Sequence, residues 1–337
     1  MKAVVQSALG EPVDVLKLID IEDQFQLAPE EVLIDVSLAS IHHGDLHLIR
    51  SQPNIPEVLG YVRRGSEAVG TVRALGSEVD SQGHLKVGDQ VIGFPAVGSW
   101  AESVVIPAAA AIPVPLECSD EVAAQLFINY VTARMILRGL RKSVSDEVLR
   151  DGAVLVTGAS TVVARLLLHF LDKEGLTPIG LARSTASAKR VETELVGTRV
   201  TATDRADWQT QVVSLAAGKK IVGVLDCVSG SLVGDFASLL ADDAAIITYG
   251  GLGGGKLGIS GLQITDHQFV IRGVTFVRWF LDLSQDEQIN DIESAIKLTN
   301  ELPSLFKVSG VYGLSDFQEA ILAVEAPNRD GFVFFKP

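Results

Sequence analysis

Short hydrophobic runs separated by turn residues fill the first third of the chain. Gly, Pro, Asn and Asp stand between the runs, which is typical of β-strands joined by tight turns. From Ser119 the pattern changes, and apolar side chains recur at helical spacing over residues 121–140, with Ser119 as a suitable N-cap. The predicted strands of this part are residues 2–6, 32–40, 68–75, 90–94 and 103–106.

Strands and helices alternate from residue 153 onward. The strands are continuous apolar runs, and the segments between them have the spacing of amphipathic helices. Such alternation predicts a parallel sheet that is covered by helices on both faces. The predicted strands are residues 153–157, 178–182, 200–202, 221–228, 244–249 and 269–276, and the predicted helices are residues 161–173, 185–196, 207–217 and 232–240.

The C-terminal part returns to mixed elements. Ser284 with Glu287, and Ser315 with Gln318, fit the capping box that begins a helix. Residues 331–336 form a final predicted strand. We therefore predict one domain built from residues 1–118 and 277–337, with an α/β domain of residues 119–276 inserted between its two parts.

Composition narrows the class of protein. The chain has 337 residues, 47% hydrophobic and 21% charged, so it is long enough for about two folded domains. Its 28 Lys and Arg against 42 Asp and Glu give a net charge of −14, which repels nucleic-acid phosphates, so we expect no nucleic-acid partner. No run approaches the ~18 apolar residues of a membrane span, and we find no targeting segment. The two cysteines, Cys118 and Cys227, favour a reducing, cytoplasmic location.

The junction after the strand at residues 153–157 is the predicted phosphate-binding loop. Here a dinucleotide-binding fold presents a helix N-terminus, with its free N–H groups, to a pyrophosphate. The glycine-rich fingerprint is incomplete, because its second and third glycines are replaced by Val162 and Ala164, and the β-branched valine is expected to weaken the phosphate contact. The alternative is a doubly wound sheet without a cofactor. The predicted loop residues are Gly158, Ala159, Ser160, Thr161 and Val162.

The end of the next strand indicates which cofactor is bound. An NAD site places an acidic residue here to bind the ribose 2′-hydroxyl, whereas this chain has Arg183. A guanidinium pairs with a 2′-phosphate through its planar fork, and Ser184 and Lys189 add a hydroxyl donor and a positive charge. The sequence therefore predicts NADPH rather than NADH. The alternative is that Arg183 and Lys189 are solvated surface charges.

Several stretches, in order along nearly the whole chain, resemble the medium-chain dehydrogenase/reductase superfamily. The resemblance is to its zinc-independent branch of quinone oxidoreductases and 2-enoyl thioester reductases. It rests on MKAVV at the start, GSEAVGTV at 65–72 with VGDQV at 87–91, NYVTA at 129–133, and YGGL at 249–252 followed by Arg272-Gly273. The resemblance implies a GroES-like β-rich domain, an inserted Rossmann domain, a cleft between them and frequent homodimers. It also implies NADPH-dependent reduction of a small-molecule substrate that carries an activated C=C bond.

Candidate site residues follow from this resemblance. His42 takes the place of an asparagine in the family's N-P-x-D segment and is a candidate catalytic residue, as are the phenols of Tyr61 and Tyr130. The catalytic tyrosine of the enoyl reductases falls near Gln52–Pro53, where this chain has none. Phe332 stands where the family has a lysine after glycine. Further predicted cofactor-binding residues are Asn129, Thr132, Cys227, Tyr249, Gly250 and Gly251.

We expect no metal ion. Zinc-containing relatives carry an early cysteine and a histidine before the glutamate of a G-H-E motif, whereas here that histidine is Ser66 and the first cysteine is Cys118. The alternative metal site is His43 and His47, at i and i+4, beside Asp45. Alternatively, His43 and His47 are simply part of a polar helix face.

Two functions remain open at this stage. In the first, NADPH delivers hydride to an enone, an enoyl thioester or a quinone, hydrogen-bond donors stabilise the resulting enolate, and a proton follows. In the second, the protein senses NADPH or acts as a scaffold and turns over weakly or not at all. The missing glycines and the missing tyrosine motivate the second hypothesis.

Overall fold

The computed structural model of the chain describes residues 1–22, 25–51, 60–82, 85–114, 118–326 and 329–337. Contacts divide it into two compact units, Met1–Ile128 with Ser294–Pro337, and Asn129–Glu293. Both ends of the chain thus contribute to the first unit, and the second unit is inserted. These two units divide after Ile128 and after Glu293, later in the chain than the predicted domain limits at residues 118 and 276. The predicted limits stay a prediction.

The first unit is mainly β-structure in its N-terminal part. Its elements up to Ala123 are β1 (Lys2–Gln6), α1 (Pro12–Val15), β2 (Leu16–Asp20), β3 (Glu31–Ser40), α2 (His43–Ser51), β4 (Val62–Arg63), β5 (Ala68–Leu75), α3 (Ser77–Gln82), β6 (Gln90–Gly93), β7 (Ser103–Pro107), β8 (Ala111–Pro113) and α4 (Asp120–Ala123).

The second unit alternates helices and strands. Its elements, together with the two helices that contain its limits, are α5 (Leu126–Arg141), α6 (Asp146–Asp151), β9 (Ala153–Thr157), α7 (Val162–Lys173), β10 (Pro178–Ala182), α8 (Thr185–Glu194), β11 (Arg199–Ala202), α9 (Trp208–Leu215), β12 (Ile221–Asp226), α10 (Leu232–Ala237), β13 (Leu240–Thr248), α11 (Gly261–His267), β14 (Val270–Gly273), α12 (Val277–Asp282) and α13 (Gln285–Glu301). The chain ends in β15 (Val308–Gly313), α14 (Phe317–Glu325) and β16 (Phe332–Lys336).

The sheet of the first unit joins both ends of the chain. Within the described residues its order is β15-β16-β3-β5-β6-β8, with β7 also paired to β3, and a small sheet orders β2-β1-β4. Strand β16 pairs antiparallel with β3 through Phe334 and Phe335. Trp100 is fully buried against Phe335, and its Nε1 donates to the Ser40 carbonyl at 3.0 Å. The fold class predicted for this unit, a β-rich GroES-like domain, is confirmed.

The second unit contains a six-stranded, all-parallel sheet, formed entirely within its described residues. The strand order β11-β10-β9-β12-β13-β14 is the doubly wound order 3-2-1-4-5-6. The central strands β9, β10 and β12 are buried at every residue, as their continuous apolar runs predict. Strand order reverses between β9 and β12, so this fold places its ligand crevice at the carboxyl ends of these two strands. The predicted Rossmann domain is therefore confirmed.

The predicted helix over residues 121–140 is wrong in one respect, because the structure divides it into α4 and α5. At the break, Ser40 Oγ donates a hydrogen bond to the Ala124 carbonyl, and Gln125 Nε2 donates to the Glu121 carbonyl at 2.8 Å. The carboxylate of Glu67 then accepts from the first amides of α5. Ser40 and Glu67, both far from this segment in the chain, thus supply hydrogen bonds at the break that the local pattern does not predict.

One of the two predicted capping boxes forms. Ser284 Oγ accepts from the Glu287 amide at 3.4 Å, and the Glu287 carboxylate accepts from the Ser284 amide at 2.9 Å. The box at Ser315 does not form, because a 3₁₀ turn over Leu314–Asp316 precedes α14 and displaces its start to Phe317. A capping box that the prediction missed lies at Ser260 and Gln263, ahead of α11.

Candidate functional site

Gly158 lies directly after β9, at the point where the strand order reverses. Its φ is +61°, in the left-handed region that favours glycine. A Cβ at this position would fall 2.4 Å from the Sγ of Cys227, which follows β12. The two neighbouring strand ends therefore approach so closely that only glycine fits between them.

Helix α7 begins three residues beyond this turn. Thr161 is its N-cap, and Thr161 Oγ1 accepts from the Ala164 amide at 3.2 Å. The remaining amides of the first helical turn have no partner within the helix, and they carry the positive end of its dipole. Val162, the first residue of the helix, is half-buried. The turn has the form that receives a pyrophosphate.

A buried carboxylate holds the loop that follows β12. Asp226 accepts from Thr157 Oγ1 at 2.6 Å, from the Val228 amide at 3.1 Å and from the Ser229 amide at 2.9 Å. Burial outweighs these hydrogen bonds and raises the pKa of Asp226. Sequence reasoning did not single out this residue, although one acidic side chain in an otherwise apolar strand was a usable signal.

The loop after β13 closes the same crevice. The Tyr249 amide donates to the Asp226 carbonyl at 2.9 Å, and Ser229 Oγ donates to the Gly250 carbonyl at 2.8 Å. A Cβ on Gly250 would lie 2.9 Å from the Cys227 carbonyl oxygen. Burial raises the pKa of the Cys227 thiol to about 12, so this cysteine stays protonated and does not act as a nucleophile.

The structure thus brings Gly158, Cys227, Tyr249 and Gly250 together. Gly251 follows them directly in the chain, and Ala159 is buried, its amide donating to the Leu181 carbonyl at 3.2 Å.

Arg183 follows β10 and is exposed to solvent. Ser184 caps helix α8, its Oγ accepting from the Ser187 amide at 3.3 Å, and Lys189 is exposed one turn into the helix. The neighbouring Thr185 is held by Asp204, whose carboxylate accepts from both the amide and the hydroxyl. The end of the second strand therefore presents two positive charges and a second helix N-terminus.

The first unit contains a buried histidine–carboxylate pair. His42 Nε2 lies 3.1 Å from Glu67 Oε2, and Glu67 is fully buried. The other oxygen, Oε1, accepts from the Phe127 amide at 2.6 Å and from the Ile128 amide at 3.3 Å. Burial raises the pKa of Glu67, while His42 and the two amides oppose that shift. Glu67 is therefore a candidate functional residue. The sequence analysis included it only within the motif at residues 65–72 and did not single it out.

A second carboxylate fixes the backbone beside this pair. The buried Asp45 accepts from the His42 amide at 2.9 Å and from Ser66 Oγ at 2.5 Å. Burial raises the pKa of Asp45, although His42 and Ser66 lower it. Both carboxylate oxygens are thus engaged, which leaves Asp45 poorly placed to join His43 and His47 around a metal ion. Within the described residues, no three His, Cys, Asp or Glu side chains converge as metal ligands.

The remaining candidate residues are distributed over the two units. Tyr61 packs against the small cluster of Ala3, Val5 and Ala101 in the first unit. Tyr130 is buried in the second unit, its ring 5.5 Å from that of Phe170. Asn129 is buried and Thr132 half-buried on the same helix, α5. Gln52–Pro53 lie outside the described residues, and the roles of all these side chains stay predictions.

Residues 28–116 match the family described as the alcohol dehydrogenase GroES-like domain. A mitochondrial enoyl-acyl-carrier-protein reductase from Dictyostelium discoideum is 24% identical over 95% of this chain and 90% of its own length. The corresponding protein from Arabidopsis thaliana is 26% identical over 82% of this chain and 72% of its own. The solved structure of Escherichia coli quinone oxidoreductase complexed with NADPH covers 100% of both chains, with a TM-score of 0.84 and 20% identity.

Residues 28–116 thus match a GroES-like domain family, and the inserted unit has the doubly wound order of a Rossmann domain. Most of the chain is similar in sequence to enoyl-acyl-carrier-protein reductases and shares its fold with a quinone oxidoreductase.

Proposed function

We propose that the protein is an NADPH-dependent oxidoreductase that reduces an activated C=C bond, as in an enone or enoyl thioester, or a quinone, by hydride transfer. One observation carries the proposal. The crevice at the carboxyl ends of β9 and β12 has Gly158 in a left-handed conformation directly before the N-terminus of α7. The enoyl reductases and the NADPH-bound quinone oxidoreductase among the similar proteins support the same activity.

The chain's residues fit this cofactor. Amides of Ser160 and Val162, next to the turn at Gly158, would receive the pyrophosphate, and Arg183 with Lys189 would pair with the 2′-phosphate. A side chain at Gly158 would collide with Cys227, so the position is kept free of one. When bound, NADPH supplies the hydride. Asn129, Thr132, Tyr249, Gly250 and Gly251 complete the proposed cofactor-binding set.

His42 is the proposed proton donor. Hydride addition at the β-carbon of an enone places negative charge on the carbonyl oxygen, and a positioned acid stabilises and protonates it. Glu67 Oε2 lies 3.1 Å from His42 Nε2, which leaves Nδ1 as the proposed donating atom. Asp45 holds the His42 backbone in place. Tyr61 and Tyr130 are the alternative donors.

The second candidate function is NADPH sensing without turnover. Two observations favour it. The first is the valine at the first position of α7, and the second is the edge-on packing of Phe332 against His42, with ring centroids 5.4 Å apart.

Two measurements separate the enzyme from the sensor. Nicotinamide fluorescence on titration with NADPH or NADH reports binding, and loss of NADPH absorbance with enones, enoyl thioesters and quinones reports turnover. Binding with turnover supports the enzyme, and binding alone supports the sensor. Failure to bind either cofactor contradicts both.

We also propose a homodimer in the cytoplasm. Strand β14 is the last strand of its sheet and pairs only with β13 among the described residues. Its residue Val270 and the nearby helix residues Val277 and Leu281 are exposed. An unpaired strand edge with apolar side chains favours pairing with a second copy.

Cys118 and Cys227 are free thiols, which suits a reducing compartment. Within the described residues, no helix combines the length and apolar character needed to cross a bilayer.

A further inference from the structure

Arg329, just before β16, forms no ion pair with an acidic side chain in the part of the chain that the structure describes. Its guanidinium Nη2 lies 3.3 Å from His43 Nε2, and its Cζ lies 6.0 Å from the centre of the Phe332 ring. Its Nη1 is buried and has no hydrogen-bond partner within the described residues. Burial, unopposed by any nearby carboxylate, lowers the pKa of Arg329.

The acidic residues close to Arg329 in the chain are bound to other cations. Asp330 lies 3.0 Å from Lys307 Nζ, and Glu325 lies 2.8 Å from Arg50 Nη2. Arg329 is thus left with a neutral imidazole and an aromatic ring. A partly desolvated guanidinium without an anion is costly, and such groups concentrate where a ligand supplies the missing charge.

The side chains around Arg329 suit a ligand rather than a structural ion pair. Desolvation by the surrounding protein, together with the charge of Arg329, lowers the pKa of His43 to about 4. At neutral pH the His43 ring is therefore uncharged, and it accepts from Arg329 without neutralising it. His43 is exposed, so the cluster of Arg329 and His43 is open to solvent on that side.

The same cluster adjoins the proposed proton donor. His43 follows His42 directly in the chain, and the Phe332 ring contacts His42 on its edge while lying beneath the guanidinium of Arg329. The ring of Phe332 therefore separates a group bound at Arg329 from His42, the proposed proton donor.

We propose that Arg329 and His43 form a site for an oxyanion, a carboxylate carried by the acceptor substrate a few bonds from its reducible C=C bond. This inference rests on the proposed function and narrows its substrate class to anionic acceptors. A planar guanidinium can form the charge-assisted contacts that carboxylates receive from arginine.

The test uses a matched pair of enones, 3-benzoylacrylate and its methyl ester, with the wild type, Arg329→Met and Arg329→Lys. We expect the wild type to prefer the acid over the ester by about 10- to 100-fold in kcat/KM, because one charge-assisted contact has that effect. Arg329→Met should remove the preference by lowering the kcat/KM of the acid far more than that of the ester, and Arg329→Lys should keep part of the preference. Arg199→Met, an exposed arginine in the other unit, is the control and should retain the preference.

A second measurement is independent of turnover. Calorimetric titration of the NADP⁺-loaded protein should show binding of 3-benzoylacrylate that Arg329→Met weakens by the same factor. If NADPH is not oxidised but this binding is seen, the proposed function fails and the oxyanion site stands. Equal losses on acid and ester, an unchanged preference in Arg329→Met, or a loss of NADP⁺ affinity in that variant would each overturn the site.

Discussion

At Gly158 the backbone and the neighbouring strand leave no room for a side chain. Gly158→Ala would place a Cβ 2.4 Å from Cys227 Sγ, at a φ of +61°. We expect a loss of about 1–3 kcal/mol in the free energy of unfolding, and weaker NADPH binding, because the two strand ends must separate. Urea denaturation and cofactor fluorescence measure the two effects.

Gly175→Ala is the matched control for Gly158→Ala. Its φ is +73°, yet a Cβ there meets nothing within 4 Å, so only the backbone strain remains. Adding Cys227→Ala to Gly158→Ala removes the colliding sulfur and should restore part of the stability. If Gly158→Ala and Gly175→Ala lose the same amount, close packing at the crevice is not what requires glycine.

The pair of His42 and Glu67 gives a prediction on catalysis. Glu67→Gln keeps the shape of the side chain but replaces the carboxyl group that contacts His42 Nε2. We expect kcat to fall about 10- to 100-fold, with NADPH affinity unchanged, because the imidazole loses the partner that orients it. Steady-state kinetics and titration with NADPH test this, and the exposed Glu30→Gln is the control. An equal loss of NADPH affinity would indicate a structural role alone.

The buried carboxylate of Asp226 predicts a pH dependence of stability. Because burial raises its pKa in the folded protein, the native state holds this proton to higher pH than the unfolded chain does. Its contribution to stability is complete below the unfolded pKa of about 4 and is lost as pH rises through the native pKa. The free energy of unfolding of the wild type, relative to Asp226→Asn, should therefore decrease from acid to neutral pH. Urea denaturation over this range measures it, and an increase would contradict the prediction.

Among the elements, helix α5 depends on a distant residue for its start. Glu67 on the loop before β5 accepts from the amides of Phe127 and Ile128, and the same carboxylate binds His42. One buried side chain therefore both caps the start of α5 and contacts a candidate catalytic group. The helical spacing over residues 121–140 could not predict this break, because it carries no information about a partner about 60 positions away.

The elements β10 and α8 give the prediction on cofactor choice. Arg183→Ala should weaken NADPH binding about 10- to 100-fold and leave NADH binding unchanged, because in the proposed site the guanidinium pairs with the 2′-phosphate that NADH lacks. Arg199→Ala, an exposed arginine on the adjacent strand β11, is the control. Titrations followed by nicotinamide fluorescence give both affinities. Equal weakening of the two cofactors would remove the argument for NADPH selectivity.

At the scale of the whole molecule, the exposed edge of β14 predicts self-association. Val270→Lys places a charge on this edge and should convert a dimer to monomers, because an edge lysine opposes strand pairing. Sedimentation velocity distinguishes the two states. Val196→Lys, at an apolar residue that is 92% exposed away from this edge, is the control and should not change the mass. A monomeric wild type would contradict the proposed homodimer.

Local pattern alone determined the strands and their kind of sheet. Residues 2–6, 68–75, 153–157 and 178–182 are strands with the predicted bounds, because continuous or alternating apolar runs must be buried somewhere. It also located the turn at Gly158 and the arginine after the second inserted strand. Short polar helices such as α11, and the short strand β2, were missed because their local signals are weak.

Tertiary structure alone decided which polar groups meet. Glu67 with His42, Asp226 with Thr157, and Arg329 with His43 are each joined across dozens to hundreds of positions. Burial and proximity set the charge and orientation of these groups, and neither quantity is a property of the local sequence. The pattern of hydrophobic residues therefore specified the sheet and the loop, whereas the packing of distant segments specified the chemistry placed beside them.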